Sequence, residues 1–236
     1  MINVLFNVDD NYKRQCKAVI RSILAHTKSK ITFYIVGAKK GDFEPFNVVY
    51  LDKPDTSMIS ARKEFGHITE CACYRLFAPL ILKDIDKVIY LDCDTLVLDD
   101  IKKLWDFEPE YIAGVQDPMW RYQANKNNLK HLYINSGVMV MNLKNLRKLD
   151  YLSMIINTQN GLNNLSLLDQ DIINIAFSDK IEHLPLEWNV YARIFSETTC
   201  DMIKVRDNPS IIHWCGGQKP WNSETWQADK WRKYDS

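Results

Sequence analysis

The chain has 236 residues and a formal net charge of zero at pH 7, because 30 lysines and arginines balance 30 aspartates and glutamates. This balance gives no reason to expect binding to nucleic acid, so any recognition of phosphate must be local. The length fits one domain over residues 1–236, with no evident linker. No apolar run approaches the roughly 20 residues of a membrane span, and no secretory signal follows Met1. We expect a cytoplasmic protein, and peripheral attachment to the inner face of a membrane stays open.

The first half of the chain alternates strand and helix patterns. Buried-strand patterns occupy residues 2–8, 31–36 and 48–51, and a helix begins at Asp9 or Asp10. A second helix covers residues 70–77, and strands follow at 88–91 and 111–115. The apolar residues that recur at helical spacing in the first helix are Cys16, Val19, Ile20, Ile23 and Leu24.

The second half continues with a strand at 138–142 and a strand-like segment at 211–212. Between them, residues 167–177 predict a helix with Ser166 as its N-cap and with Asp169 and Gln170 in its first turn. This alternation predicts an α/β fold with a mainly parallel sheet. Ligands of such folds bind at the carboxyl ends of the strands.

The cysteines show no framework spacing, and a reducing compartment would keep them as thiols, so we expect no disulfides. Cys71 and Cys73 lie two residues apart in a predicted helix and therefore project to different sides. Small core residues are a better interpretation of this pair than a zinc site. The six positions are Cys16, Cys71, Cys73, Cys93, Cys200 and Cys215.

The apolar strand at 88–91 ends in two carboxylates, Asp92 and Asp94. A buried unpaired carboxylate is costly, so both are expected where a cation can reach them. Residues i and i+2 of a strand point the same way, and the pair can approach one hard divalent cation such as Mn²⁺ or Mg²⁺. Aspartate is also an ordinary turn residue at strand ends, and that alternative stays open.

A second group of chemically active residues follows the strand-like segment 211–212. His213 offers a metal ligand, Gly216 and Gly217 let backbone approach a ligand closely, and Lys219 offers a compact cation for phosphate oxygens. The ordinary alternatives are a core histidine bonded to a backbone carbonyl and a solvated surface lysine.

The chain has only 8 glycines and contains neither a dinucleotide fingerprint nor a P-loop. A bound nucleoside diphosphate would therefore need another source of positive charge. A metal held by Asp92, Asp94 and His213, with Lys219 beside it, would supply that charge.

Six segments, in the same order, resemble motifs of the retaining glycosyltransferases of family 8, the group that includes glycogenin and bacterial lipooligosaccharide galactosyltransferases. The resemblance runs from Val4 to Trp221. It implies a GT-A fold, with a Rossmann-like, mainly parallel central sheet flanked by helices, and a Mn²⁺ ion that bridges the phosphates of a UDP-sugar. The segments are 6–12, 74–76, 90–94 (the Asp-x-Asp motif), 135–137 (Asn-x-Gly), 169–171 (Asp-Gln-Asp) and 213–221.

The resemblance also implies a role for individual residues. Asp92, Asp94 and His213 would bind the metal, with Asp92 also near the ribose, and Gly216 and Lys219 would contact the phosphates. The nucleotide-sugar site would include the middle residues of two motifs, Cys93 and Ser136. Uracil and ribose would be recognised by Asp9, Asn11 and the backbone at Val8. The positions that match donor-sugar contacts are Arg75, Asp117, Asn135, Asp169 and Gln170.

Two of these assignments have structural alternatives. Asp9 or Asp10 could act as a helix N-cap. Arg75 could be an ion-pair partner for one of the acids.

The activity implied is transfer of glucose or galactose from UDP to a saccharide acceptor, such as lipopolysaccharide or capsule, with the α configuration retained. The residue behind the anomeric carbon would be Gln170, whose amide is a poor nucleophile, so we favour front-side attack in which Gln170 stabilises positive charge. Asp169 and Lys219 complete the expected catalytic group. Alternatives are a sugar nucleotidyltransferase and a non-catalytic UDP-sugar-binding relative.

Two further features concern the acceptor. His67 matches an acceptor-side histidine of some relatives, although a loop histidine is the more ordinary interpretation. Residues 230–234 are a short basic and aromatic segment that resembles the start of a membrane-binding tail, so attachment to a lipid-linked acceptor stays open.

Overall fold

A computed structural model describes residues 1–59, 70–161, 167–196 and 198–235. Ser166 and His67, for which the sequence suggested roles, lie outside these ranges. The strands are β1 (Ile2–Asn7), β2 (Ile31–Val36), β3 (Val48–Leu51), β4 (Lys87–Leu91), β5 (Thr95–Val97), β6 (Ile112–Gln116), β7 (Ile134–Asn142), β8 (Ile181–His183), β9 (Val190–Tyr191) and β10 (Ile211–His213).

The α-helices are short apart from the first. They are α1 (Lys13–His26), α2 (Ala78–Ile81), α3 (Lys102–Trp105), α4 (Trp120–Lys126), α5 (Leu143–Leu146), α6 (Tyr151–Asn160), α7 (Asp169–Ala176), α8 (Cys200–Lys204) and α9 (Ala228–Arg232). The predicted helix over 70–77 forms as a 3₁₀-helix, Glu70–Phe77. Two shorter 3₁₀ segments are Leu186–Asn189 and Val205–Asp207.

Within the described residues, the main sheet has the strand order β3-β2-β1-β4-β7-β6-β8. Only β7 in this sheet runs against its neighbours, β4 and β6. A smaller sheet has the order β5-β10-β9, in which β5 runs antiparallel to β10. The predicted α/β class with a mainly parallel sheet is confirmed.

The two faces of the main sheet carry different apolar clusters. Helix α1 covers one face through Cys16, Val19, Ile20 and Ile23, which are fully buried as their spacing predicted. The other face packs against the 3₁₀-helix Glu70–Phe77 and helices α6 and α7. Each central strand buries side chains on both faces, which explains why these strands are apolar throughout.

Three sequence predictions about the helices were wrong, two for the first helix and one for α7. The helix begins at Lys13, because Asp9 Oδ1 accepts the backbone N–H groups of Asn11 (2.9 Å) and Tyr12 (3.2 Å) and closes a turn before it. Leu24, predicted to belong to the apolar face, is 46% exposed. The cap position of α7 is taken by Leu168, with φ 40°, and the helix begins at Asp169.

The basic and aromatic segment 230–234 folds back onto the protein. Trp231 is fully buried, with its ring 5.2 Å from that of Trp221. Arg21 donates to the carbonyl of Tyr234 (3.0 Å), and Arg14 forms an ion pair with Asp235. The aromatic ring of Trp231 therefore serves internal packing. Among the described residues, no helix is both long and apolar enough to cross a membrane.

Candidate active site

The carboxyl ends of β1, β4 and β10 meet beside a cleft of about 820 Å³. Asn7 is the last residue of β1, Asp92 directly follows β4, and His213 is the last residue of β10. The residues that line the cleft are Asn7, Asp9, Tyr12, Cys71, Ala72, Arg75, Tyr90, Asp92, Cys93, Asp94, Leu167, Gly216, Gly217, Lys219, Trp221 and Asn222.

Asp92, Asp94 and His213 form a compact group at this edge. One ligand atom from each lies within 4.8 Å of the others. His213 Nε2 is 3.2 Å from Asp94 Oδ1 and 3.8 Å from Asp92 Oδ2. Two carboxylate oxygens and an imidazole nitrogen are donors that a divalent cation such as Mn²⁺ or Mg²⁺ accepts.

The register of the small sheet brings this group together. His213 pairs with Thr95 across the β5–β10 ladder, and the backbone N–H of Trp214 donates to the carbonyl of Asp94 at 2.9 Å. Asp92 is held from the other side, because its backbone N–H donates to the carbonyl of Gly137 at 2.8 Å. The ligand set is therefore fixed by backbone hydrogen bonds on both sides.

A chain of amide side chains orients His213, which is only 1% exposed. The backbone N–H of Gly137 donates to Asn135 Oδ1 at 3.0 Å, and Asn189 Nδ2 donates to the same oxygen at 2.8 Å. Asn189 must therefore present Oδ1 to His213 Nδ1, 2.9 Å away. This places a ring proton on Nδ1 and directs Nε2 towards the carboxylates. Asn189 lies outside every recognised motif, so no pattern in the sequence singles it out.

The space around the three ligands fits a bound cation. A Cβ atom at Gly137 would lie 2.3 Å from His213 Cε1 and 2.6 Å from Asp92 Oδ2, so the ligands occupy room that only glycine leaves. Three carboxylates, of Asp92, Asp94 and Asp169, share two neighbouring cationic side chains, Arg75 and Lys219. When His213 is neutral, as a metal ligand must be, the three carboxylates exceed the two cations by one charge, which favours a metal cation at the cluster.

Lys219 lies at the edge of the cluster and is not a solvated surface lysine. Its Nζ pairs with Asp94 Oδ2 and donates to the carbonyl of Trp214 at 2.6 Å. Burial alone would raise the pKa of Asp94, but the charges of Lys219 and His213 outweigh burial and hold that pKa well below its usual range. Asp94 is therefore ionised and available as a ligand at neutral pH.

Arg75 is buried, with 6% exposure, and joins two of the acids. Its guanidinium lies 2.9 Å from Asp92 Oδ1 and 3.0 Å from Asp169 Oδ2, and it donates to the carbonyl of Ser136 at 2.8 Å. The ring of Tyr90 covers its face at 4.4 Å. The ion-pair alternative left open for Arg75 is thus realised. Burial raises the pKa of Asp169 to about 6, although Arg75 acts to lower it.

Gln170 is held rigidly at the start of α7. Its Oε1 accepts from Asn135 Nδ2 (2.8 Å) and from the backbone N–H of Ser136 (3.0 Å), and its Nε2 donates to Asp117 Oδ2 at 3.3 Å. Tyr191, which the sequence did not single out, donates to the same Asp117 oxygen at 3.0 Å. Burial raises the pKa of Asp117.

The remaining predicted residues are dispersed around the cleft. Cys93 and Gly216 line it, and Gly216 adopts a left-handed conformation with φ 85°, which favours glycine. Val8 is fully buried in the core, and Asn11 lies on an exposed turn. Asp9 lines the cleft and also caps that turn. All six cysteines are free thiols.

The sequence model of glycosyl transferase family 8 matches residues 3–225 of the chain. The chain belongs to this family. It is 32% identical to general stress protein A of Bacillus subtilis, over 95% of this chain and 89% of that protein. It is 27% identical to lipopolysaccharide 1,2-glucosyltransferase of Escherichia coli, over 93% of this chain and 73% of that protein.

A solved structure of the galactosyltransferase LgtC, in complex with donor and acceptor sugar analogues, has the same fold. Its TM-score with this chain is 0.82 at 23% identity, over 99% of this chain and 95% of that one. The GT-A fold implied by the family 8 resemblance is confirmed, and the protein is a glycosyltransferase by family.

Proposed function

We propose that the protein is a retaining hexosyltransferase that moves glucose or galactose from a UDP-sugar to a saccharide acceptor, with Mn²⁺ bound by Asp92, Asp94 and His213. The observation that carries this proposal is the Asp-Asp-His group, in which His213 is buried and both aspartates are half-buried, with Lys219 beside it at the edge of a cleft large enough for a nucleotide sugar. We further propose that residues 1–236 form one catalytic domain and that the acceptor is a cell-surface glycan, in keeping with the lipopolysaccharide glucosyltransferase among the relatives.

Glycosyl transfer breaks the anomeric C–O bond, and the leaving UDP gains negative charge. A divalent metal bound at the cluster supplies Lewis-acid stabilisation of that charge. Lys219 adds a second cation, whose Nζ is already fixed by Asp94 and by the carbonyl of Trp214. Gly216 lets backbone approach the phosphates without a side chain in the way. Together these groups favour departure of UDP.

The contacts of Gln170 support front-side attack rather than a covalent intermediate. Its Oε1 already accepts two hydrogen bonds, from Asn135 and Ser136, which further weaken an amide oxygen as a nucleophile. A fixed carbonyl dipole can still stabilise positive charge at the anomeric carbon. The departing phosphate would take the proton of the acceptor hydroxyl, and Asp169 with Arg75 would hold the donor sugar.

The decisive experiment is UDP titration and UDP-release assays with a panel of UDP-sugars, with and without Mn²⁺. Asp94→Asn should keep the fold while activity falls by about 10²-fold or more, because it removes ligand charge at nearly constant volume. The matched control is Asp106→Asn, which removes an exposed carboxylate paired with Lys102 and should leave activity unchanged. Full activity of the wild-type protein in excess chelator would contradict the metal assignment.

A further inference from the structure

A second cavity, of about 320 Å³, adjoins the cleft at Gly217, which lines both. Cys215 connects this second cavity to the metal-ligand group, because its Sγ lies 3.0 Å from His213 Nε2. A molecule bound there would therefore lie next to the cleft that the nucleotide sugar would occupy. The second cavity is lined by Ala192, Arg193, Cys215, Gly217, Gln218 and Thr225.

Of the described residues that line the second cavity, only Arg193 is charged. Within the described ranges its guanidinium pairs with no carboxylate and lies over the ring of Phe195, 5.1 Å from the ring centre. Glu224, which precedes Thr225 in the sequence, pairs instead with Arg232 at 2.8 Å. The second cavity therefore has a positive charge that no described protein group neutralises.

A run of aromatic rings ties this charge to the metal-ligand group. Tyr191 lies edge-on to His213, with 5.6 Å between the ring centres, and Phe195 lies edge-on to Tyr191 at 6.0 Å. The face of an aromatic ring attracts a cation, so Phe195 favours one position for the guanidinium of Arg193. The charge is thus held at a set place relative to His213, although the arginine itself is exposed.

The chemistry of the second cavity suits a sugar with an acidic substituent. A guanidinium presents paired N–H donors that match the oxygens of a carboxylate or a phosphate. Gln218 and Thr225 add neutral donors and acceptors of the kind that bind sugar hydroxyls. The volume is at the lower end of the range for small-molecule sites and has room for a sugar ring.

We propose that the second cavity receives the acceptor and that Arg193 selects an acceptor saccharide that carries an acidic group, a carboxylate or a phosphate. This inference rests on the proposed function and adds to it the chemical class of the acceptor.

Surface plasmon resonance on the immobilised protein, with UDP and Mn²⁺ in the buffer, tests the proposal with three probes. These are methyl β-glucoside, the matching methyl β-glucuronide and methyl β-glucoside 6-phosphate. The wild type should bind at least one acidic sugar about fivefold or more tightly than the neutral one, and the tighter of the two distinguishes carboxylate from phosphate. Arg193→Gln should remove this preference, and Arg193→Lys, which keeps the charge, should retain part of it.

The matched control is Arg21→Gln. It removes a guanidinium that also lies over a phenylalanine ring, 5.7 Å from the centre of Phe46, but that does not line the second cavity. This variant should show the preference of the wild type.

Equal affinities of the wild type for acidic and neutral sugars would overturn the inference, and so would binding of none of the three. A preference that survives in Arg193→Gln, or that falls equally in Arg21→Gln, would also overturn it. Titration of the wild type with UDP and Mn²⁺ separates these outcomes from failure of the proposed function. A protein that binds UDP without preferring an acidic sugar contradicts the acidic acceptor alone, whereas one that does not bind UDP contradicts the proposed function.

Discussion

The side chain of Lys219 connects two parts of the site that are distant in sequence. It pairs with Asp94 after β4 and with the carbonyl of Trp214 after β10, so its ammonium is held before any substrate arrives. A cation fixed in advance needs no reorganisation when charge develops on a leaving group. Its contribution should therefore be larger in the transition state than in the ground state.

We expect Lys219→Ala to lower kcat by about 10²-fold, with a smaller change in KM, because the lost interaction strengthens as UDP departs. Steady-state UDP release measures both constants. Lys204→Ala, which removes an exposed lysine paired with Asp201, is the control and should leave both unchanged. An effect confined to KM would limit Lys219 to ground-state binding.

Asn189 influences the same cluster by orienting His213 and does not itself lie among the proposed metal ligands. Replacing it with alanine should leave His213 Nδ1 with only the weaker Cys215 sulfur as a partner, 3.3 Å away, and lower Mn²⁺ affinity by about 10- to 100-fold, as loss of an outer hydrogen bond does in other metal sites. Calorimetry with Mn²⁺ alone measures this effect without turnover. Asn189→Asp retains an acceptor oxygen and should recover part of the affinity; equal affinities for wild type and Asn189→Ala would contradict the orienting role.

At the scale of elements, strand β7 forms the wall behind the site. Its residues Asn135, Ser136 and Gly137 contact Gln170, Arg75 and the metal-ligand group respectively. The register of β7 against β6 shifts between Gly114 and Val115, near the end of β7 that carries these residues. Such an irregularity re-aims side chains at the end of a strand.

Gly137→Ala tests this wall. The added methyl group would meet both His213 and Asp92 at distances that neither can accept unchanged, so Mn²⁺ affinity should fall by at least about tenfold while the protein still folds. The control is Gly161→Ala, whose Cβ would meet only backbone oxygens at 3.4 Å or more. Calorimetry and circular dichroism separate loss of the site from loss of the fold. Wild-type Mn²⁺ affinity in Gly137→Ala would contradict the expected clash and show that the neighbouring side chains can shift.

The longer elements were predictable because burial leaves a pattern in them: β1, β2, β4 and most of α1 are apolar runs or helical repeats. Helices α3, α5 and α8, of four or five residues, are too short to show a period. The small sheet was largely missed for the same reason, although its register places His213 beside Asp94. The motifs singled out Asp92, Asp94 and His213, which the structure brings together, whereas Asn189 and Tyr191 act by hydrogen bonds that no spacing reveals.

At the scale of the whole molecule, the arrangement supports retention through Gln170 without a protein nucleophile. Gln170→Ala should therefore leave measurable transfer, whereas Asp169→Asn, which weakens the pair with Arg75, should reduce activity more. The linkage formed should be α for both wild type and Gln170→Ala, as read from the anomeric proton coupling of the product by NMR. A β-linked product from an α-linked UDP-sugar would contradict the proposed mechanism.

The β5–β10 ladder also sets the order in which the site can be assembled during synthesis. Asp94 and His213 are about 120 residues apart, which a ribosome adding about 5–20 residues per second takes roughly 6 to 24 s to span. For that interval the nascent chain presents both carboxylates without the imidazole or Lys219, and β4 and β7 also pair at long range. Such non-local pairing is slow to form. If the cluster binds a cation as proposed, that binding would be one of the last events in maturation. A chain that stalls before residue 213 would carry both carboxylates without the imidazole that completes the group.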